Sequence, residues 1–496
     1  MDLAQGFPVH RRRTSIPVMW PPRVRVGNSL GSGRLRAPAP PSGRPASVLS
    51  AALHGRLPCR IASRRGDAPW SGSRRGDVPV SCRVGRGPRR GGDGAGHWCG
   101  LGQTADVGDT DELAALGRAL KQLLLASYGL YPDDLAAEVA DACSRLGGGE
   151  VMLLLVDCDQ HALVGFDHDD DRTFPVDGPG PGLAFRREVV VEEPLSGARR
   201  RLWVPVKDSA ERVGVLGVVD DGSVRPDSWE SIAALVGELI VSKSQYGDHI
   251  TRRRRRGQFS LAAEMRWALL PPLTFTAPDV SIAGFLQPSR GIAGDAFDYA
   301  VTGRLASVAI FDAMGHGIEA SRMANVAVGC YRNARCGGAD VVTALLAVDE
   351  IIASQFGQSR FVTAQLATLD LDSGELEIVN AGHPPPLWLR AGQGPSVISC
   401  PQTRPAGLGS DPASTTIVLR RDDNVVFRTD GVVDARSPAG DFFGDERLAD
   451  LIGELHRQGL PPAEILRRCL HEVAAHQNGR PSDDACLLVL RWTAPN

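Results

Sequence analysis

From residue 280 onward the sequence repeats one arrangement: an apolar run ends in an acidic residue, usually followed by glycine or another small residue. Phe285 and Leu286 lead through a short loop to Gly294-Asp295-Ala296-Phe297-Asp298, and Ser307 to Phe311 runs into Asp312-Ala313-Met314-Gly315-His316-Gly317. Asn424 to Thr429 ends at Asp430-Gly431, and Ser482-Asp483-Asp484 opens the run from Ala485 to Leu490. Short apolar runs bounded by turn residues read as strands, so the carboxylates fall at strand ends. Like charges repel in a partly desolvated cleft. Hard divalent cations relieve that repulsion, and an oxygen-only donor set suits Mg2+ or Mn2+. No His/Cys set with zinc spacing competes for the role. Two such ions about 3.5–4 Å apart can share a water, lower its pKa and aim it at phosphorus. Gly294, Gly315, Gly317 and Gly431 let the backbone approach an ion or phosphate closely. Singly the pieces mean little: Asp-Gly is usually a turn, Asp483-Asp484 reads as a solvated loop, and a lone His316 reads as a hydrogen-bonded structural residue. Their order, each beside a strand, carries the weight.

The rest of the chain frames this region. Its 496 residues are enough for two or three domains. No stretch approaches the roughly 18 consecutive apolar residues that span a bilayer, and the start lacks the apolar core of a secretory signal. A cytoplasmic protein with no membrane association is expected. The ten cysteines are scattered without a C-x-x-C pair, which favours core packing over zinc or redox chemistry. Net charge, −3 overall, conceals an asymmetry: residues 1–105 hold 18 arginines and four aspartates, leaving 37 basic against 54 acidic residues elsewhere. The acidic remainder is a poor footprint for nucleic acid. Residues 1–105 are rich in Arg, Pro, Gly and Ser, without helical or strand period, and are expected to be disordered. That expectation, or a start codon assigned too far upstream, is preferred to a basic arm for nucleic acid or anionic membrane.

Between 109 and 245 the periodicity changes. Leu113 to Tyr128 and Leu135 to Leu146 have helical spacing, and Val151 to Val156 reads as a buried strand. Arg201 to Val206 and Arg212 to Val219 form an expected hairpin across Lys207-Asp208-Ser209-Ala210, and Ser228 to Val241 a closing helix capped by Asp227 or Ser228. This order resembles a GAF domain, a small-molecule-sensing module, which implies an α/β sensor with an unidentified ligand. Residues 246–275 read as a linker helix. The five arginines Arg252 to Arg256 are taken as its solvated face, and Ser260 to Leu270 as a helix burying Leu261, Met265, Ala268 and Leu269 before Pro271-Pro272 stop it.

Over about 260–493 the wording resembles the protein phosphatase 2C-like superfamily, in its sporulation stage II E branch. The matching segments include Ala263-Glu264-Met265 to Leu270-Pro271-Pro272, Gly294-Asp295 to Asp298, Asp312 to Gly317 and Phe361-Val362-Thr363-Ala364. They continue through Asn380-Ala381-Gly382-His383-Pro384-Pro385, Thr429-Asp430-Gly431, Phe442-Phe443-Gly444 and Ser482-Asp483-Asp484. The resemblance implies an α/β (α+β) domain over 276–493, a four-layer α-β-β-α sandwich of two antiparallel sheets with the metals in a cleft at one end. By position it implies that Asp312 bridges two Mn2+ or Mg2+ ions and Ala313 offers its carbonyl oxygen. Asp430 and Asp483 then hold one ion, and Asp295 the other ion or its waters. Asp312 and Asp430 become the catalytic pair through the water they help activate; Asp298 and Asp484 rank as outer-shell groups or loop residues. His316 and His383 could orient groups, although Asn380 to Pro386 reads as a structural turn. The family's usual Gly-Gly-Asp-Phe-Tyr-Asp is Ala293 to Asp298 here, which alters packing and keeps the acids.

The resulting expectation is an enzyme hydrolysing phosphoserine or phosphothreonine on a protein, regulated through the GAF-like domain. The resemblance suggests an anti-sigma-factor antagonist as substrate and leaves a homodimer open. The alternative is a non-catalytic signalling protein that only binds a partner. A third reading, a sensor acting on nucleic acid through residues 1–105, fits the acidic remainder poorly, so no nucleic acid is expected. The resemblance runs almost to Asn496, so no kinase domain is expected behind it.

Overall fold

The computed structural model describes residues 107–493 except 210, 288–293, 391 and 482. The Arg-rich segment 1–105, the hairpin tip at Ala210, Ala293 and Ser482 therefore lie outside the described residues. In chain order the first part contains α1 (Val107–Ser127), α2 (Leu135–Leu146), β1 (Val151–Val156), β2 (Ala162–Gly165), β3 (Thr173–Pro175) and α3 (Pro181–Arg187). It continues with β4 (Val191–Pro194), β5 (Arg200–Lys207), β6 (Arg212–Asp220) and α4 (Pro226–Ser244). The six strands form one antiparallel sheet in the order β3-β2-β1-β6-β5-β4. Successive strand residues face opposite sides, and both sides are apolar. Leu153 and Leu155 pack with Trp229, Ile232 and Val236 of α4, while Met152, Leu154 and Val156 pack with Phe185 of α3. The closing helix begins earlier than its sequence signals suggest, with Arg225 at the N-cap. Ser228 instead donates to Glu112 of α1, and Trp229 Nε1 donates to Asp220 at the end of β6 (2.9 Å).

The connecting segment holds α5 (Asp248–Arg254) and α6 (Leu261–Trp267). The arginine run is a solvated face only at its ends, Arg252 and Arg256; the three between are engaged. Arg253 donates to the carbonyls of Gly165 (2.8 Å) and Asp170 (2.7 Å), and Arg254 to the carbonyl of Val156 and to Glu211. Arg255 forms a two-pronged pair with Glu264. Guanidinium groups satisfy carbonyls at the ends of strands, where the ladder leaves acceptors open. The face of α6 also differs from expectation. Ala262, Ala263 and Arg266 are buried while Leu261 is 63% exposed, and the helix ends at Trp267, short of the prolines.

The C-terminal part contains β7 (Thr274–Ala277), β8 (Val280–Gln287), β9 (Asp295–Thr302), β10 (Leu305–Ala313), α7 (Gly317–Cys336), α8 (Val341–Phe356), β11 (Val362–Asp370) and β12 (Glu375–Ala381). After these come β13 (Leu387–Leu389), β14 (Ser396–Val397), β15 (Gln402–Thr403), β16 (Thr415–Val418) and β17 (Asn424–Arg428). The chain closes with α9 (Asp430–Val433), α10 (Asp445–Arg457), α11 (Pro462–His476) and β18 (Ala485–Trp492). One sheet runs β15-β12-β11-β10-β9 with β16 also on β12; the other runs β14-β13-β17-β18-β8-β7. Pairing is antiparallel except for the short β12–β15 contact. The inner faces meet through Phe297, Val308, Ile310, Ile282, Leu286, Phe427 and Leu488, while Phe285, of opposite parity, faces His471 of α11. The alternate residues Ala296, Ala309 and Phe311 face α7 and α8. With α10 and α11 against the second sheet, the layers run α-β-β-α. No helix among the described residues is long and apolar enough to cross a membrane.

The first part and the sandwich touch along α11. Arg467, fully buried, pairs with Glu464 and with Asp177. His471 stacks on His161 with ring centroids 4.0 Å apart. Its Nδ1 accepts from Arg467 (3.1 Å), and its Nε2 donates to the carbonyl of Asp159 (3.1 Å), which fixes a neutral ring. Burial, the adjacent His161 and the Arg467 charge push its pKa down to about 4. The unfolded chain protonates this ring below about pH 6.5 and the folded chain resists doing so until about pH 4. Stability is therefore expected to fall between those values by up to about 1.4 kcal/mol per pH unit from this group. Thermal unfolding from pH 7.5 to 5 should show a shallower decline in His471→Gln; equal slopes in both proteins would contradict the assignment.

Candidate metal centre

Asp295 opens β9 and Asp312 lies one residue before the end of β10, and the antiparallel register sets them directly opposite each other. Directly opposed residues share a face. That face is the inner one, because Phe297, Val308 and Ile310 of the same parity fill the core between the sheets. The second sheet brings its own acids to this end. Asp430 starts α9 just after β17, and Asp483 and Asp484 immediately precede β18, which pairs with β17. Hydrogen bonds stitch the two sheets together here. Thr429 Oγ1 donates to Asp295 Oδ2 (2.7 Å) and accepts from the Cys486 amide (2.9 Å). Asp484 Oδ2 accepts from the Gly294 amide (2.7 Å), and its Oδ1 accepts from Arg266 of α6 (3.0 Å).

Two glycines have no substitute. A Cβ on Gly431 would stand 1.7 Å from the Asp484 carbonyl oxygen, so the Asp430 turn can approach β18 only through glycine. A Cβ on Gly294 would stand 2.8 Å from the carbonyl oxygen of Ala313 and crowd that acceptor. The Ala313 amide donates back to Gly294 (3.1 Å), which holds the carbonyl in place.

The cluster carries more negative charge than its surroundings balance. Asp295 and Asp484 are buried, Asp312 is half-buried, and Asp430 and Asp483 stand at the exposed mouth. Burial and the charges of Asp312 and Asp484 hold the Asp295 carboxyl well above the usual range, against the pull of the Thr429 hydrogen bond. Asp312 is pushed up to about 7 by burial and then by Asp430, Asp483 and Asp484. Partial desolvation raises Asp430 and Asp483 too, with Asp483 acting on the first and Asp484 on the second; solvent at the mouth tempers both. Burial also raises Asp484, although Arg266 opposes it. Among the described residues no three His, Cys, Asp or Glu side chains close into a ready-made cage. Ions held here would complete their shells from the Ala313 carbonyl and water, as hard cations commonly do. All-oxygen donors, repulsion among them and a carbonyl kept uncovered by glycine fit Mg2+ or Mn2+.

Of the residues singled out by sequence, Asp295, Ala313, Asp312, Asp430 and Asp483 are thus gathered at one end of the sandwich. Asp298 is not. Three residues beyond Asp295, it has the opposite parity, faces α7 and is held there by Arg332 (2.6 Å) and Arg335 (2.9 Å). His383 is buried, bonded to Thr363 Oγ1 (2.8 Å) and, through its backbone, to Asn380, so it shapes a turn. His316 is exposed at the N-cap of α7 and its charge bears on Asp483. Sequence reasoning missed Arg266 and Thr429. Both sit inside segments quoted above, but neither their periodicity nor their type marks them as partners of a carboxylate.

Residues 302–493 match the family model of stage II sporulation protein E (SpoIIE). This part of the chain is a SpoIIE-type domain. Asp312, Ala313, Asp430 and Asp483 lie within the matched SpoIIE segment, and Asp295 lies just ahead of it. Phosphoserine phosphatase RsbP of Bacillus subtilis (strain 168) is 25% identical over 223 residues, covering 42% of this chain and 52% of RsbP. Protein IcfG of Synechocystis sp. (strain ATCC 27184 / PCC 6803 / Kazusa) is 29% identical over 286 residues, covering 50% of this chain and 44% of IcfG. The chain spans about half the length of these two relatives. Among solved structures, the RsbU and RsbW domains of Rv1364c from Mycobacterium tuberculosis align at 27% identity and a TM-score of 0.40, over 45% of this chain and 63% of that one.

Two outcomes follow from the packing of the SpoIIE-type domain. Gly431→Ala should lower stability by about 2 kcal/mol or more in urea unfolding, since backbone must move to admit the methyl group. Asp312→Asn should raise the unfolding midpoint in chelator, by roughly 1 kcal/mol, because it removes one of several repelling charges. A destabilised Asp312→Asn chain would mean that the carboxylate is held by favourable partners instead.

Proposed function

We propose that this protein is a divalent-metal-dependent serine/threonine protein phosphatase that hydrolyses phosphoserine or phosphothreonine on a protein. The observation that carries the reading is the direct opposition of Asp295 and Asp312 on neighbouring strands, faced by Asp430, Asp483 and Asp484 from the other sheet. Mg2+ or Mn2+ bound here would supply Lewis-acid polarisation of the phosphoryl oxygens and a water of lowered pKa. Asp312 would stand between two ions, with Asp430 and Asp483 on one and Asp295 on the other, and Ala313 would add its carbonyl. Asp484 would act as a positioning residue: its carboxylate accepts from the Gly294 amide and from Arg266, which ties α6 to the start of β9. Asp430 and Asp483 are exposed, so the cluster is accessible from solvent to a phosphorylated side chain. The relatives named phosphoserine phosphatase support this chemistry, and an anti-sigma-factor antagonist is the substrate class that the family resemblance favours. The sheet and helices of residues 109–245, which we read as a GAF-like sensor, would regulate it.

Phosphate release from a small aryl phosphate should appear with Mn2+ and vanish in chelator. Asp312→Ala and Asp430→Ala should each reduce it by more than the about 10–100-fold typical of outer-shell changes, with the circular dichroism of the folded chain retained. Activity that survives chelation, or survives both substitutions, would overturn the reading. Metal binding without any turnover of aryl phosphates or phosphopeptides would favour a partner-binding role.

A further inference from the structure

A cavity of about 540 Å3 lies between the β5–β6 hairpin and the sandwich, lined by Lys207, Arg212, Pro462, Ala463 and Arg491 among others. Arg212 is 4% exposed, donates to Gln160 Oε1 (3.0 Å) and lies over the Phe185 ring at 4.6 Å. Its Nε and Nη1 have no hydrogen-bond partner. Glu464 stands 4.0 Å from Nη1, and this carboxylate already accepts from Arg467 and Arg468 at 2.8 Å each. Arg491 Nε also lacks a partner. Of the acidic residues at the cavity wall, Glu188 pairs with Lys207 (3.1 Å), Glu211 pairs with Arg254 (2.8 Å), and Asp208 accepts from the Glu211 amide. The cavity also receives the start of α11, a 15-residue helix whose first turn, Pro462 and Ala463, lines it and has no side-chain cap.

These features share one electrostatic sense. The start of α11 presents the positive end of the helix dipole. Pro462 has no N–H and the Glu464 amide bonds to the Pro461 carbonyl (3.0 Å), which leaves the Ala463 amide to face an anion. A buried guanidinium with two unpaired donors carries a desolvation cost that an oxyanion can offset through paired hydrogen bonds. We propose that the cavity binds a small oxyanion, a phosphate or carboxylate group, held between Arg212 and the N-terminus of α11. Arg212 belongs to the first sheet and α11 to the sandwich, so the bound anion favours the docked arrangement of the two parts through linkage. Its residue Arg491 lies near the far end of β18 from Asp484, and the site does not depend on the phosphatase reading.

The test uses the full chain in chelator at constant ionic strength, titrated with inorganic phosphate in one arm and citrate in the other. Unfolding midpoint and calorimetric heat are followed in both. Saturable binding is expected in at least one arm, which identifies the anion type. Arg212→Met should weaken it by about tenfold or more, and so should Lys207→Glu, which replaces a positive charge at the cavity wall with a further negative one. Lys207 is partly exposed, so that variant decides the matter if Arg212→Met does not fold. A response that is linear in concentration and equal in all three proteins overturns the proposal, as does saturable binding that both variants retain.

Discussion

Two carboxylates set opposite each other on adjacent strands would ordinarily weaken a sheet. Here the Asp295–Asp312 pair is tolerated because neighbouring groups hold the backbone around it. Thr429 donates to Asp295, and Asp484 grips the Gly294 amide across the gap between the sheets. Arg266, from outside the sandwich, steadies Asp484. The repulsion itself is left largely unrelieved, which is why the carboxyls are held above their usual range. A structure that maintains such a cluster sets aside stability at one end, a pattern found where charge is needed for binding or chemistry.

The same cluster ties the connecting segment to the cleft. Arg266 projects from α6, whose neighbour α5 sends Arg253 and Arg254 into strand-end carbonyls of the first sheet. Through the backbone of α5 and α6 and the Arg255–Glu264 pair, these contacts connect that sheet to the acid that fixes Gly294. Spatial continuity alone does not establish coupling, but it names the contacts through which coupling would act. The α11 interface is a second, separate contact, built on Arg467, His471 and the His161 ring.

Much of this was legible in the sequence, for identifiable reasons. The strands of the sandwich announce themselves because apolar runs end at Asp-Gly or Gly-Asp pairs, and the hairpin of β5 and β6 because two apolar runs flank a short polar tip. Period-two counting also separates Asp295 from Asp298: three residues apart on one strand, they must face opposite sides. The sequence reading ranked Asp298 below Asp295 from the family resemblance, and parity gives the physical reason for their different partners. Other features were out of reach. Five consecutive arginines look solvated until the strand-end carbonyls that receive them are known. The buried face of α6 is chosen by its packing on α7, where Ser321 donates to the Ala262 carbonyl, and not by the leucine and methionine that its hydropathy favours. Contacts between residues hundreds of positions apart, such as Arg467 with Asp177, leave no local trace.

The central claim is that the acids from the two sheets form one binding site for divalent ions. Anomalous diffraction from crystals of the full chain grown with Mn2+ tests it most directly. The account requires Mn2+ peaks in the cleft bounded by Asp312, Asp430 and Asp483, with the Ala313 carbonyl turned toward one of them. A cleft without such peaks at saturating Mn2+, with Asp312 and Asp430 turned apart, would contradict it.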